Sequence, residues 1–175
     1  MYSLYKKKVI RNLLYLYDTI LNKGTYHNRI DAMDSFYLYL NSQDSLNIRK
    51  NNSPSEFWIQ LSKSYHLDGQ WTCALTEITL DCDLKQRSKR LYLCCDLVEE
   101  SYARNTLIPV LRNIEIGTKY KKVLSAEFIR PIYVPVTVTQ LTSLRLYFKD
   151  ENLNPVDFET NDLHCVLHFK KSWAR

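Results

Sequence analysis

The sequence predicts an all-β sandwich preceded by a short helical arm. Three observations carry this. From Ser35 onward apolar residues recur mostly at every second position, the period of a strand with one buried side. Clusters of turn-forming residues punctuate these runs at the spacing of an antiparallel β protein, and the helical period is confined to the first 30 residues.

In the arm, Leu4, Val9, Ile10, Leu13, Leu14, Tyr17, Ile20 and Leu21 fall at mostly helical spacing, and Gly24 stands where a helix C-terminus favours positive φ. Arg11 and Asp18 interrupt the apolar run and no small-residue cleavage site follows, which argues against a signal peptide. The segment is also too short and too charged to span a bilayer. With the polar linker Thr25 to Asp34 it forms a basic amphipathic arm over residues 1–34. Residues 35–171 are expected to form one domain and 172–175 a C-terminal tail.

In the first strand Phe36, Leu38 and Leu40 alternate with Tyr37 and Tyr39, and Leu46 and Ile48 suggest a short second one. Pro54 lacks an N–H and holds Ser53 extended, so the next strand begins near Phe57 and runs to about Ser62. Phe57, Ile59 and Leu61 share its apolar face, with Trp58 among the polar residues of the other. Asp68-Gly69 then tolerates positive φ, and Trp71 to Leu80 follows, apolar on both faces. These two runs read as a hairpin. Further strands are expected at 90–97, 107–116, 123–129, 132–139, 143–149 and 163–170, eight or nine in all. Pro135 cannot donate to a ladder, which places its strand at an edge or a bulge. Strand number and turn spacing fit an eight-stranded jelly roll and equally an immunoglobulin-like sandwich.

At 175 residues, 45% hydrophobic and 25% charged, the chain has material for one core. Its three glycines, Gly24, Gly69 and Gly117, stand far apart, which excludes glycine-rich phosphate loops and the nucleophile elbow. The five cysteines are odd in number and show no metal-type pairing. Cys94 and Cys95 are neighbours on a strand and point to opposite faces, so packed thiols in a reducing compartment are expected. The net charge of +5 lies in the arm: residues 1–30 hold Lys6, Lys7, Lys8, Arg11, Lys23 and Arg29 against Asp18 alone, leaving 18 basic and 18 acidic side chains elsewhere. A basic arm on a neutral body fits an acidic contact, whether nucleic acid, a membrane surface or a protein patch.

Chemistry-bearing clusters are sparse. His164 and His168 share a strand face with Cys165 on the other, but the further histidine and carboxylate of a cupin-type metal site are missing. His27 and His66 fall in predicted loops. Asp81-Cys82-Asp83 resembles an acidic pair for a divalent ion, yet it reads as a strand-ending loop, and Glu99-Glu100 as a solvated one. No catalytic set is recognisable, so no enzyme, cofactor or metal is expected. Nucleic-acid recognition by the body is disfavoured by its balanced charge. What does stand out is Tyr37, Tyr39, Trp58, Tyr92, Tyr133 and Tyr147, each on a face opposite an apolar set, in a chain of thirteen tyrosines. Large amphipathic rings outside a core suit a partner surface; cover by the arm or by loops is the alternative.

The stretch Asn51 to Ile78 carries a resemblance. Asn52, Pro54, Ser55 and Phe57, then Leu67, Gly69, Trp71, Ala74, Leu75, Glu77 and Ile78, are similar in order and spacing to the N-terminal part of the penton proteins of Maverick or Polinton viruses and the related adintoviruses. Thr106 to Arg112 resembles the family's strand after its long middle loop. Thr142 to Asp150, Phe158 and Val166 to Lys170 resemble its last two strands. Coverage is roughly Ser35 to Lys171. The turn Asn152-Leu153-Asn154-Pro155 departs from the pattern in lacking glycine, and the basic loop Asp83 to Arg90 departs as well.

The resemblance implies an all-β single jelly-roll sandwich of eight or nine antiparallel strands with an N-terminal helical arm. It implies a non-enzymatic capsid protein of the virion, a homopentamer at the fivefold vertices of a shell built from a double jelly-roll major capsid protein. The six aromatic residues are then the expected subunit interface. Lys6, Lys7, Lys8, Val9, Ile10, Arg11, Leu13, Leu14 and Tyr17 are the expected arm contacts with shell, genome or membrane. A jelly-roll ligand- or receptor-binding module and a cupin-like metalloenzyme are the alternatives.

Overall fold

The computed structural model describes residues 34–43, 52–81, 89–116, 123–158 and 162–172, all within the unit Asp34–Arg175. The helical arm, the short strand expected near Leu46 and Ile48, and most of the C-terminal tail lie outside the described residues. The described residues contain eleven strands: β1 (Ser35–Asn41), β2 (Glu56–His66), β3 (Trp71–Asp81), β4 (Arg90–Cys95), β5 (Ser101–Ala103), β6 (Thr106–Ile108), β7 (Val110–Glu115), β8 (Val123–Glu127), β9 (Val134–Pro135), β10 (Gln140–Asp150) and β11 (Leu163–Lys171).

They form two antiparallel sheets and a small ribbon. Sheet A has the order β1-β11-β3-β8, with β9 also paired to β3; sheet B has the order β2-β10-β4-β7; β5 and β6 pair with each other. Among the described strands, each connection between the eight main ones crosses from one sheet to the other except β4 to β7. The inner faces meet in one core. Leu38 and Leu40 of β1, Leu75 and Ile78 of β3 and Leu163, Cys165, Leu167 and Phe169 of β11 pack there with Phe57 of β2, Leu91 and Leu93 of β4 and Leu141, Leu144, Leu146 and Phe148 of β10. An all-β sandwich is what the alternation called for.

The run Asn51 to Ile78 is not a hairpin. β2 pairs with β10 in sheet B, whereas β3 pairs with β11 in sheet A. The inward residues of β2 and β3 face each other across the core, which two strands of one sheet cannot do. Asp68-Gly69 is therefore a corner between sheets. Gly69 has φ +83°, and a Cβ there would meet Lys171 Cε at 3.3 Å. Leu67 is buried and its N–H reaches the Thr139 carbonyl at 2.8 Å, while Trp71 Nε1 donates to the Asp68 carbonyl at 3.0 Å.

β3 looks apolar on both sides because it changes parity. Leu75 pairs with Leu167 and Glu77 with Val166, so Thr76 is an extra residue, its hydroxyl donating to the Val166 carbonyl at 3.0 Å. Before this bulge Trp71, Cys73 and Leu75 enter the core; after it Ile78 and Leu80 do. Other boundaries differ from the pattern for identifiable reasons. β2 extends to His66, which is not in a loop, because Tyr65 and His66 pair with Leu141 and Gln140 of β10 beyond an irregularity after Gln60; apart from half-buried Tyr65 the residues past Ser62 are polar and exposed, so no alternation marks them. The strand expected over 107–116 is split at Pro109, which has no N–H for a ladder, into β6 and β7. The strand expected over 132–139 shrinks to β9, whose Pro135 lies opposite Thr72 at the margin of sheet A, as a proline requires.

The glycine-free turn after β10 is held by a buried carboxylate. Asp150 Oδ1 accepts the N–H groups of Asn152 and Asn154, both at 2.8 Å, and its own N–H reaches the Asn154 carbonyl at 3.0 Å. These bonds fix Leu153 at φ +66°, a conformation that normally selects glycine. Replacing Asp150 by alanine leaves two backbone donors unpaired and is expected to cost about 1–3 kcal/mol, read as a lower denaturant midpoint with unchanged slope.

Candidate interaction surfaces

The six predicted interface aromatics do not form one patch; they divide between the two outer faces. Tyr37, Tyr39 and Tyr133 lie on sheet A. Tyr37 of β1 pairs with His168 of β11, which in turn pairs with Ala74 of β3, and the Tyr37 ring stacks on the imidazole at 4.2 Å. Tyr133 arrives from the segment before β9, with its hydroxyl 2.7 Å from His168 Nδ1. Burial raises the Tyr133 pKa, with Tyr37 and Cys73 adding to it. Burial also lowers the pKa of His168, with Lys170 adding to it. With the phenol protonated and the imidazole neutral, the hydroxyl donates to Nδ1. The cluster covers Ala74 but leaves Tyr37 half exposed, and Tyr39, opposite Val166, is 61% exposed.

On sheet B, Trp58, Tyr92 and Tyr147 are half-buried. Trp58 lies opposite Arg145, whose guanidinium sits 5.6 Å from the Trp58 ring and 4.7 Å from the Tyr147 ring and donates through Nε to Glu56 Oε1 at 3.0 Å. This ion pair is part exposed, so about 1 kcal/mol or less rests on it. Tyr92 and Tyr147 pack with Cys94, Ala103 and Ile108 under the β5–β6 ribbon. Loop cover, the alternative to a partner surface, thus accounts for these two. Burial pushes Cys94 up to about 11 and Tyr147 up to about 12, in keeping with a closed apolar pocket.

Sequence reasoning missed the ribbon itself. Arg104 and Asn105, at φ 45° and 64°, form a two-residue turn with the twist that antiparallel strands favour, and Asn105 was the available signal. The ribbon turns Tyr102, 78% exposed, and its cross-strand partner Leu107 outward. Ile129 and Ile132, flanking Pro131, are exposed as well. The predicted arm contacts, Lys6 to Tyr17, lie outside the described residues.

The remaining candidates separate. His164 lies 2.9 Å from Asp162 and takes no part in the His168 cluster. Glu99 and Glu100 are exposed in a loop, and Asp81 ends β3, with Cys82 and Asp83 outside the described residues. Among the described residues no three His, Cys, Asp or Glu side chains are placed to hold a metal, and no helix is long and apolar enough to cross a membrane. Cys73, Cys94, Cys95 and Cys165 are free and buried, Cys95 in the main core and Cys94 under the ribbon, so the adjacent pair does point to opposite faces. Burial raises the pKa of Cys73 and of Cys95 and brings Cys165 to about 12, so these thiols are poor nucleophiles. Compared with known protein families and with curated proteins, the chain matches none.

The lowered pKa of His168 sets a direction for acid sensitivity. As the pH falls below the ordinary imidazole value near 6.5, the unfolded chain takes up the proton first, and the fold loses stability until the folded-state pKa is passed. His168→Gln is expected to remove this part of the loss, seen as a shallower fall in melting temperature between neutral pH and about pH 5 than in the unaltered chain.

Proposed function

We propose that the chain is a single jelly-roll capsid protein of penton type, forming a ring of five copies at the vertex of an icosahedral shell. The observation that carries this reading is the strand order. Numbered in sequence, the eight main strands β1, β2, β3, β4, β7, β8, β10 and β11 lie in the orders first-eighth-third-sixth and second-seventh-fourth-fifth. First and last strands are neighbours, with the second and seventh nested beyond them, which is how a long antiparallel ribbon rolled on itself arranges its strands. An immunoglobulin-like sandwich instead keeps its first two strands together in one sheet, an arrangement that β1 and β2 do not have.

The outer surfaces support an assembling protein. Tyr37 and Tyr39 on one face, and Trp58 with the ribbon residues Tyr102 and Leu107 on the other, give a subunit two different amphipathic surfaces. Head-to-tail rings use two such surfaces, one on each side of every contact. The reading assigns the chain a structural role beside a double jelly-roll major capsid protein.

Native mass spectrometry is expected to show five copies. Tyr37→Ser combined with Tyr39→Ser should release monomers while changing fold stability by about 1 kcal/mol or less. An unaltered chain that stays monomeric at high concentration and beside its capsid partner would sink the reading.

The arm is assigned to the shell interior on its sequence alone. Val9, Ile10, Leu13, Leu14 and Tyr17 need cover, since a short isolated helix is marginal in water, and Lys6, Lys7, Lys8 and Arg11 then meet acidic protein or genome phosphate. Deleting residues 1–30 should leave the ring intact and impair incorporation into shells. Flotation of the full chain, but not of the truncated one, with anionic vesicles would transfer the arm to a membrane surface.

A further inference from the structure

The β5–β6 ribbon belongs to neither sheet. Among the described residues its strands pair only with each other, through Ser101–Ile108, Tyr102–Leu107 and Ala103–Thr106, and close in the two-residue turn Arg104–Asn105. Alternation then sorts its side chains. Ala103 and Ile108 point down and are buried with Cys94, while Tyr102 and Leu107 point away into solvent. Beneath the ribbon, on the outer side of sheet B, lies an apolar floor of Cys94 with Tyr92, Tyr147, Val110 and Leu153 around it.

This ribbon is lightly held. An isolated pair of short strands is marginal in water, so its order depends on what it rests on, and that footing is the two side chains Ala103 and Ile108. The chain is fastened on either side of the ribbon rather than along it: the Glu99 N–H donates to the Pro135 carbonyl at 2.9 Å, and the Cys95 N–H to the Pro109 carbonyl at 3.0 Å. Between those points, among the described residues, one hydrogen bond joins the ribbon to the rest of the fold, from Arg104 Nη1 to Asn152 Oδ1 at 2.9 Å, and it is exposed. Asn152 sits on the turn that buried Asp150 fixes, so the bond ties the ribbon's tip to a firm point. The strands below differ. β4 and β10 are each paired on both sides within sheet B and bury Leu91, Leu93, Leu144 and Leu146 in the main core. Local opening follows buried apolar contact and backbone bonding, so the ribbon opens at far lower cost than the strands it covers.

We propose that the β5–β6 ribbon is a flap, hinged at Glu99 and Pro109 and caught by Asn152, that lifts from sheet B while both sheets stay folded. Closed, it presents Tyr102 and Leu107; open, it uncovers Cys94 and the inner sides of Tyr92 and Tyr147. One sheet thereby holds two outer surfaces, the second a minor state hidden under the first. The device belongs to a single subunit and operates in a monomer as in a ring.

Cys94 reports the opening, and its neighbour Cys95, in the main core, is the internal reference. Under the ribbon burial holds the Cys94 thiol up at about 11, so labelling at pH 8 runs through the open state. The full chain is treated without denaturant with iodoacetamide and, separately, with a bulky maleimide dye; fragment mass spectrometry locates the modified cysteine, and each rate is divided by that of the same reagent on the unfolded chain. Cys94 is expected to react roughly 100-fold faster than Cys95 or more, equally with both reagents. Asn152→Ala removes an exposed side chain and spares the backbone bonds of its turn, and is expected to speed Cys94 about 3- to 10-fold. Ile78→Val loosens the core far from the ribbon and is expected to speed Cys95 by a similar factor while leaving Cys94 unchanged, because the flap opens without unfolding the core. If Ile78→Val speeds both thiols alike, Cys94 waits for the whole sandwich to unfold and the flap is overturned. Reaction of Cys94 with iodoacetamide but not with the dye would mean leakage beneath a fixed ribbon and would overturn it as well, as would an Asn152→Ala chain whose Cys94 labels no faster.

Discussion

The sandwich depends on the antiparallel pairing of β11 between β1 and β3. Leu163, Cys165, Leu167 and Phe169 of β11 are all almost fully buried, and both neighbours in sheet A are ordered by its ladder. From this strand an aromatic stack crosses the core. Phe169 stacks on Phe36 of β1 at 4.9 Å, and Phe36 stacks in turn on Tyr65 of β2 at 4.6 Å, with Trp71 tilted against it at 5.7 Å. Since β2 belongs to sheet B, these rings tie the two sheets together at one end. Each such pair adds roughly 0.5–1.5 kcal/mol beyond area burial, and the geometry admits little sliding of one sheet on the other.

A rigid core frees the outer faces for other work, and the two faces are finished differently. On sheet B the chain covers itself, the β5–β6 ribbon lying over Cys94 with Tyr92 and Tyr147 at its sides. On sheet A no such ribbon exists among the described residues, and the aromatic cluster around His168 is only partly shielded. Tyr37 and Tyr39 thus stay exposed on sheet A, whereas Tyr92 and Tyr147 are packed under the ribbon on sheet B.

Much of this was legible in the residues, and the failures have a common cause. Alternation located β1, β2, β10 and β11 because each turns one face to the core; Leu144, Leu146 and Phe148 are all nearly inaccessible while Arg145, Tyr147 and Lys149 are not. It failed where pairing is long-range. The Asp68-Gly69 signal reports only that the chain reverses, and a hairpin turn and a corner between sheets need the same positive φ. Likewise Leu75 and Ile78, three apart, announce a bulge only once Val166 and Leu167 are known to lie opposite. For the surface, alternation found which rings point outward but not which outer face each belongs to, since sheet membership is decided by β10 and β11, far away in sequence. The ribbon over sheet B was invisible because its three-residue strands are too short to show a period.

Three buried polar atoms lack partners among the described residues: Arg112 Nη1, Glu151 Oε2 and Asp162 Oδ1. Asp162 has its second oxygen engaged by His164, so its debt is partial. Arg112 is part exposed and its guanidinium lies over the Phe128 ring at 4.2 Å, so its charge keeps some hydration while the ring face shields one side. All three residues are only half-buried, so the unmatched atoms lie at the hydrated margin of the sandwich and not in its core, which is apolar.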